Sequence, residues 1–131
     1  MTDQEFLRAL ENCELAERDF GHAAHVRVAY LYLQKSDFAA ALERTRRTIR
    51  NYAKHLGKPD RYHETITVAY LALIQQHIFE RGNDGGWPAF AKNNAELFQP
   101  DLLHRFYSRA QLDSEIARRI FLLPAPAGAH A

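Results

Sequence analysis

Two short segments of this sequence are apolar on almost every side of a helix, and they constrain the fold more than any other feature. They are VAYLYL at 28–33 and VAYLAL at 68–73. A helix without a polar face belongs in the interior of a protein, because it has no side to present to water. The sequence therefore predicts two central helices, 22–34 and 63–81, in a helical bundle.

Capping residues and apolar periodicity place further helices around these two. Thr2 with Glu5 forms a capping box for a helix over 3–13. An amphipathic helix over 38–56 follows the first central helix, with Gly57 at its end. Three more helices are predicted at 88–98, 101–107 and 114–123. No segment alternates with period two, so we expect an all-α, single-domain bundle of about six helices over 1–123, with 124–131 as a flexible tail.

Charge and composition narrow the class of protein. The 131 residues include 17 Lys and Arg against 16 Asp and Glu, a balance that does not favour nucleic acid as a partner. No apolar run approaches the roughly 20 residues of a membrane span. The single cysteine, Cys13, forms no internal disulfide, and the N-terminus lacks a signal-peptide pattern. We therefore expect a cytoplasmic protein.

Histidines stand at the starts of both central helices. His22 and His25 are three residues apart and share a helix face, while His63 and Glu64 open the second helix. If the two starts meet, these side chains can converge. Imidazole and carboxylate ligands suit Zn, Fe, Mn or Cu, and bundle cores often hold such ions. The pattern predicts a metal site; a buried hydrogen-bond network and plain exposure are the structural alternatives.

Other polar residues lie near these starts. Arg27, inside the apolar helix, predicts an ion pair with a carboxylate such as Glu64, or a clamp for an anionic substrate. Four more residues are candidates to orient a ligand or to supply a further metal ligand: Tyr62, Thr67, Tyr70 and His104. For the tyrosines and Thr67, local hydrogen bonding is the alternative.

Two further features have a structural and a functional interpretation. One face of the amphipathic helix is rich in basic residues, namely Arg44, Arg46, Arg47, Arg50 and Lys54. We interpret it as solvated surface, with an acidic partner or nucleic acid as the alternative. Trp87, in a glycine-rich loop, either fills the edge of the core or covers a pocket.

Two resemblances bear on the fold. The segments HAAHVRVAYLYL, YHETIT and FYSRAQLDSEIARRIFLLP resemble a family of small uncharacterised bacterial all-α proteins, which implies a fold but no activity. The segment AYLYLQKSDFAAALE looks like part of a tetratricopeptide hairpin. Its turn is longer than in that motif and the downstream segment does not repeat it, so a peptide-binding solenoid is not expected.

Three functions remain open at this point. The first is a small metal-binding protein, including a metalloenzyme, with His22, His25, His63 and Glu64 as ligands. The second is a non-catalytic domain that binds a peptide or partner chain, including a second copy of itself. The third is a metal-free small-molecule pocket in which His63 or Glu64 acts as acid or base. No motif selects a reaction, so enzymatic activity stays open.

Overall fold

The computed structural model describes residues 1–125, and this part of the chain is helical without strands. Its seven α-helices are α1 (Asp3–Glu11), α2 (His22–Lys35), α3 (Phe38–His55), α4 (Glu64–Arg81), α5 (Gly86–Asn93), α6 (Arg109–Leu112) and α7 (Glu115–Arg119). Short 3-10 turns lie at Glu17–Asp19, Pro59–Arg61, Ala95–Phe98 and Leu102–Arg105. The predicted all-α fold is confirmed. Positions 126–131 of the predicted tail lie outside the described residues.

Helix α2 is the most enclosed element. Val28 and Tyr32 have no exposed surface, and α2 packs against both α3 and α4. Helix α4 buries Leu71 and Ile74 completely, but Phe79 near its end is 90% exposed. The two apolar segments therefore lie side by side, and α4 keeps one side open to solvent.

The capping residues set most helix starts as predicted. Thr2 and Glu5 form the capping box of α1, and Ser114 caps α7 through the backbone N–H of Ala117. Gly57, just beyond the end of α3, has a φ of 74°, a conformation that glycine adopts without strain. These local signals fix the N-terminal half of the bundle.

The C-terminal third differs from the predicted pattern. The predicted helix at 101–107 is only the 3-10 turn Leu102–Arg105, the predicted helix at 88–98 stops at Asn93, and α6 was not predicted. The buried side chain of Asn94 explains the early stop, because its amide donates to the carbonyl of Phe90 and its oxygen faces His77 at 2.9 Å. Such side-chain bonds to the backbone compete with helix continuation.

The C-terminal elements pack against the first turn of α4. The Thr65 hydroxyl donates to the carbonyl of Ile120 at 2.9 Å and accepts from the N–H of Leu122 at 3.0 Å. Thr65 is fully buried by this contact. Within residues 1–125, no helix has the length and apolar character that a bilayer crossing requires.

Candidate functional site

The starts of α2 and α4 line one recess of about 370 Å³. Helix α2 contributes His22 and His25, and the start of α4 contributes His63 as its N-cap together with Thr67 and Tyr70. The remaining wall includes Phe20, Val26, Thr45, Ile49, Arg61 and Ile66. We call this the histidine recess. The two helix starts therefore meet, a condition that the sequence could not decide, although Glu64, Arg27 and His104 do not line the recess.

Both ring nitrogens of His63 are engaged in hydrogen bonds. Nδ1 accepts from the N–H of Ile66 at 3.1 Å, so the ring proton is on Nε2, which donates to the carbonyl of Leu112 at 2.7 Å. His63 thereby caps α4 and ties its start to the end of α6. In this arrangement it has no free lone pair for a metal ion.

His22 uses one ring nitrogen. Its Nε2 lies 3.0 Å from the carbonyl of Leu97, and because a carbonyl only accepts, Nε2 carries the proton. The ring packs edge-on against Tyr70, with centroids 5.0 Å apart. Nδ1 of the neutral ring is left as an acceptor.

His25 makes no side-chain hydrogen bond within the described residues. Its ring stacks on Phe20 with a centroid distance of 4.2 Å. Desolvation by the surrounding protein, and secondarily the charge of His22, lowers the pKa of His25 to about 4. Part of the ring remains open to solvent, since the residue is exposed overall. His25 is therefore a neutral imidazole at pH 7 with both nitrogens available.

Glu64 is buried behind the recess and is fully paired. Arg46 on α3 binds both of its carboxylate oxygens, and the hydroxyl of Tyr62 donates to Oε1 at 2.6 Å. The hydrogen bond that Arg46 donates to Glu64 raises the pKa of Arg46, while burial and then the hydrogen bond to Glu64 raise the pKa of Tyr62 to about 12. The sequence predicted that the whole basic face is solvated surface. This is wrong for Arg46, because Arg46 holds a buried carboxylate.

Arg27 pairs with a carboxylate as predicted, but the partner is not Glu64, the residue that the sequence analysis suggested. Its guanidinium binds Asp3 at 2.7 Å and lies 4.7 Å from the centre of the Phe6 ring. This pair ties α1 to α2 on a side of α2 away from the recess, since Arg27 lines a different cavity. Arg27 therefore has a structural partner, and it does not line the recess that holds the predicted histidine ligands.

The remaining candidates divide between the recess and the surface. Thr67 donates to the carbonyl of His63 at 2.8 Å, which is local helix bonding, and Tyr70 is half-buried in the recess wall. His104 is exposed on the 3-10 turn Leu102–Arg105. The C-terminal elements do fold over the start of α4, but they do so through Leu112 and Ile120.

Thr45 on α3 is a recess residue that the site prediction missed. It is 2% exposed, and its hydroxyl is the one buried side-chain polar atom in residues 1–125 without a hydrogen-bond partner. An unpaired buried hydroxyl costs free energy, so such a group requires an explanation. The sequence held a signal, because Thr45 occupies an apolar position in the period of its helix.

Volume alone does not distinguish the histidine recess. A cavity of about 460 Å³ lies beside Trp87, lined also by Tyr30 and Asn83. There the polar groups satisfy one another, because the Tyr30 hydroxyl donates to Asn83 and the Asn83 amide donates to Gln34. Trp87 itself packs against Tyr30, Phe90 and Phe98, at the edge of the core.

The groups that could hold a metal are dispersed by these bonds. Among residues 1–125, no set of three or more His, Cys, Asp or Glu side chains is arranged around a point where an ion could sit. His22, His25 and His63 line the same recess without forming such a set. Glu64 faces Arg46 instead.

Comparison of the chain with protein-family models, with curated proteins and with solved structures found no match in any of the three. The two resemblances drawn from the sequence stay predictions, and function must be argued from the recess itself.

Proposed function

We propose that the protein binds a small organic molecule in the histidine recess. The observation that carries this proposal is that Thr45, a residue that lines the recess, has a buried hydroxyl without a hydrogen-bond partner. A bound molecule with a hydrogen-bonding atom near Thr45 would remove the cost of burying that hydroxyl unpaired. This proposal keeps the metal-free pocket that the sequence suggested, but it rests on Thr45 rather than on His63 or Glu64.

The composition of the wall supports an organic ligand. Apolar atoms provide most of the surface, with Val26, Ile49 and Ile66 among the side chains that contribute them, and a small number of polar groups interrupt it. A volume of about 370 Å³ lies within the range of about 300–1,000 Å³ that is typical of small-molecule sites. The neutral ring of His25 offers one donor and one acceptor.

A fragment screen followed by amide NMR spectra tests this proposal. We expect small aromatic compounds to shift the amide signals of Gly21, Thr45 and Thr67, while those of α7 stay unchanged. Replacing Thr45 by valine should weaken binding about tenfold, the effect of losing one hydrogen bond of about 1.4 kcal/mol.

The matched control is Thr48→Val on the same helix, because the Thr48 hydroxyl is also buried but does not line the recess. This variant should bind the same fragments with unchanged affinity. Fragments that shift no recess amide, or that ignore Thr45→Val, would contradict the proposal.

A divalent transition metal (Zn, Fe, Mn or Cu) is the second candidate. It is supported by the shared placement of His22, His25 and His63 on one wall. Binding would require His63 to give up at least one of its two hydrogen bonds. Metal analysis of untagged protein, with and without His63→Ala, tests it: stoichiometric metal that disappears in the variant would support the metal site, and substoichiometric metal in both would contradict it.

A further inference from the structure

The wall of the histidine recess contains the guanidinium of Arg61, and no aspartate or glutamate of the described residues lines it. Glu64, which follows His63 of the wall in sequence, is buried, and its carboxylate is paired with Arg46. A cationic ligand would find no counter-charge there, whereas an anion would.

The first turn of α2 has no cap, and Gly21, His22 and His25 at this end line the recess. Gly21 supplies no side-chain cap and the turn contains no acidic residue, so the backbone N–H of His22 makes no hydrogen bond within the described residues. The start of a helix carries a partial positive charge that favours anions. Helix α4 differs, because His63 caps it and Glu64 occupies its first turn.

Arg61 adds a full positive charge at the rim. Lys58 binds Glu17 at 2.6 Å, and Arg61 binds the same carboxylate oxygen at 3.2 Å. Two cations therefore share one anion, and the hydrogen bond from Lys58 is the main reason that the pKa of Glu17 is lowered. With its side chain 65% exposed, Arg61 is free to turn toward a ligand while Lys58 keeps Glu17 paired.

Aromatic side chains form part of the recess wall. They are Phe20, stacked on His25, and Tyr70, which contacts the edge of His22. Thr45 also lines the recess, and its hydroxyl is buried without a hydrogen-bond partner, so a ligand that reaches this side chain would give the hydroxyl one.

We infer that the ligand is an aromatic monocarboxylate. Its carboxylate binds at the uncapped start of α2 and to Arg61, and its ring packs on the apolar wall toward Thr45. This inference rests on the proposed function, since it names the ligand class of the same recess.

A matched series of three compounds tests it: 2-naphthoate, 2-naphthamide and 2-naphthylmethylammonium, titrated by amide NMR at pH 7 and low salt. We expect the carboxylate to bind at least tenfold more tightly than the amide, and the ammonium compound most weakly. Arg61→Gln should reduce the affinity for the carboxylate about tenfold and leave that for the amide unchanged. The control Arg8→Gln removes the same charge from α1, away from the recess, and should change neither.

The outcomes separate this inference from the proposed function. If the amide binds as tightly as the carboxylate, the recess is a ligand site but the carboxylate class is wrong. A preference for the carboxylate that survives Arg61→Gln overturns the role of Arg61. If none of the three compounds shifts a recess amide, both the inference and the proposed function fail.

Discussion

The guanidinium of Arg46 on α3 holds the carboxylate of Glu64 on α4 through both oxygens. Glu64 is 7% exposed, and the hydroxyl of Tyr62 is its second partner and donates its third hydrogen bond. The pair fixes the first turn of α4 against α3, and that turn carries part of the recess wall. The position of the recess therefore depends on an ion pair whose carboxylate is buried behind it.

Removing this carboxylate should destabilise the protein. Glu64→Ala leaves Arg46 and the Tyr62 hydroxyl without their acceptor. Breaking a buried pair costs about 3–5 kcal/mol; because Arg46 is about one-third exposed, we expect about 2 kcal/mol, measured by urea denaturation at pH 7. The exposed Glu43→Ala on α3 is the control and should stay within about 0.5 kcal/mol of wild type.

A double-mutant cycle with Arg46→Ala then isolates the pair itself. We expect a coupling energy on the order of 1 kcal/mol. Additive effects of the two substitutions would show that Glu64 acts through Tyr62 alone.

The double engagement of His63 leads to a second prediction. His63→Ala removes the cap of α4 and the bond to Leu112, so we expect a loss of about 2 kcal/mol in the free energy of unfolding. His63→Asn should recover about half of this loss, because asparagine is a good N-cap but its side chain is too short to bond Leu112 as well. Urea denaturation at pH 7 measures both.

His104→Ala serves as the control, since His104 is exposed and its side chain makes no hydrogen bond within the described residues. Its stability should match that of the wild type within about 0.5 kcal/mol. If His63→Asn and His63→Ala were equally destabilised, the cap would not be the source of the effect.

The sequence predicted two central apolar helices, because all-apolar segments in one small chain pack together. It raised the meeting of their histidine-bearing starts only as a condition, and it did not reveal the bonding of each side chain. Which carboxylate pairs with which arginine depends on the rotation of α3 about its axis. That rotation placed Arg46 rather than Arg27 beside Glu64.

The C-terminal third was the least predictable part because its structure depends on side chains reaching across the chain. Asn94, at the end of α5, contacts His77 from 17 residues away, and the Thr65 hydroxyl accepts from the N–H of Leu122, which is 57 residues away. The residues next to each of these positions in the sequence do not reveal such long-range bonds. Thr45 illustrates the same limit, since its position in an apolar period shows burial but not the lack of a partner.

Thr45 and Thr48 form a matched pair for a third prediction. Thr45→Val replaces an unpaired hydroxyl by a methyl group of similar size, so the ligand-free protein should become more stable by about 0.5–1 kcal/mol. Thr48→Val removes a hydrogen bond of 2.9 Å to the Tyr32 hydroxyl and should cost about 1 kcal/mol.

Thermal unfolding of the two variants gives the comparison directly. Opposite signs are expected on one helix for the same chemical change. A destabilised Thr45→Val would mean that its hydroxyl already has a partner in solution, and an ordered water in the recess would then be the first explanation to examine.

The neutral ring of His25 makes stability depend on pH. In the unfolded chain a histidine has a pKa near 6.5, whereas desolvation by the surrounding protein lowers the pKa of folded His25 to about 4. Between these values the unfolded chain binds a proton that the folded protein does not. The contribution of His25 is therefore fully present above about pH 6.5 and is lost as the pH falls toward 4. Because the residue is exposed overall, we expect a loss of only about 1 kcal/mol over this window.

His25→Phe is the variant that isolates this effect, because phenylalanine can still stack on Phe20 but does not titrate. Urea denaturation from pH 7 to pH 4 should show a shallower decline for the variant than for the wild type, and the difference between the two curves should grow as the pH falls. NMR titration of the His25 ring protons should place its midpoint well below that of a free histidine. Parallel stability curves, or a midpoint near 6.5, would mean that solvent hydrates the ring in the recess and that His25 carries a charge just below neutral pH.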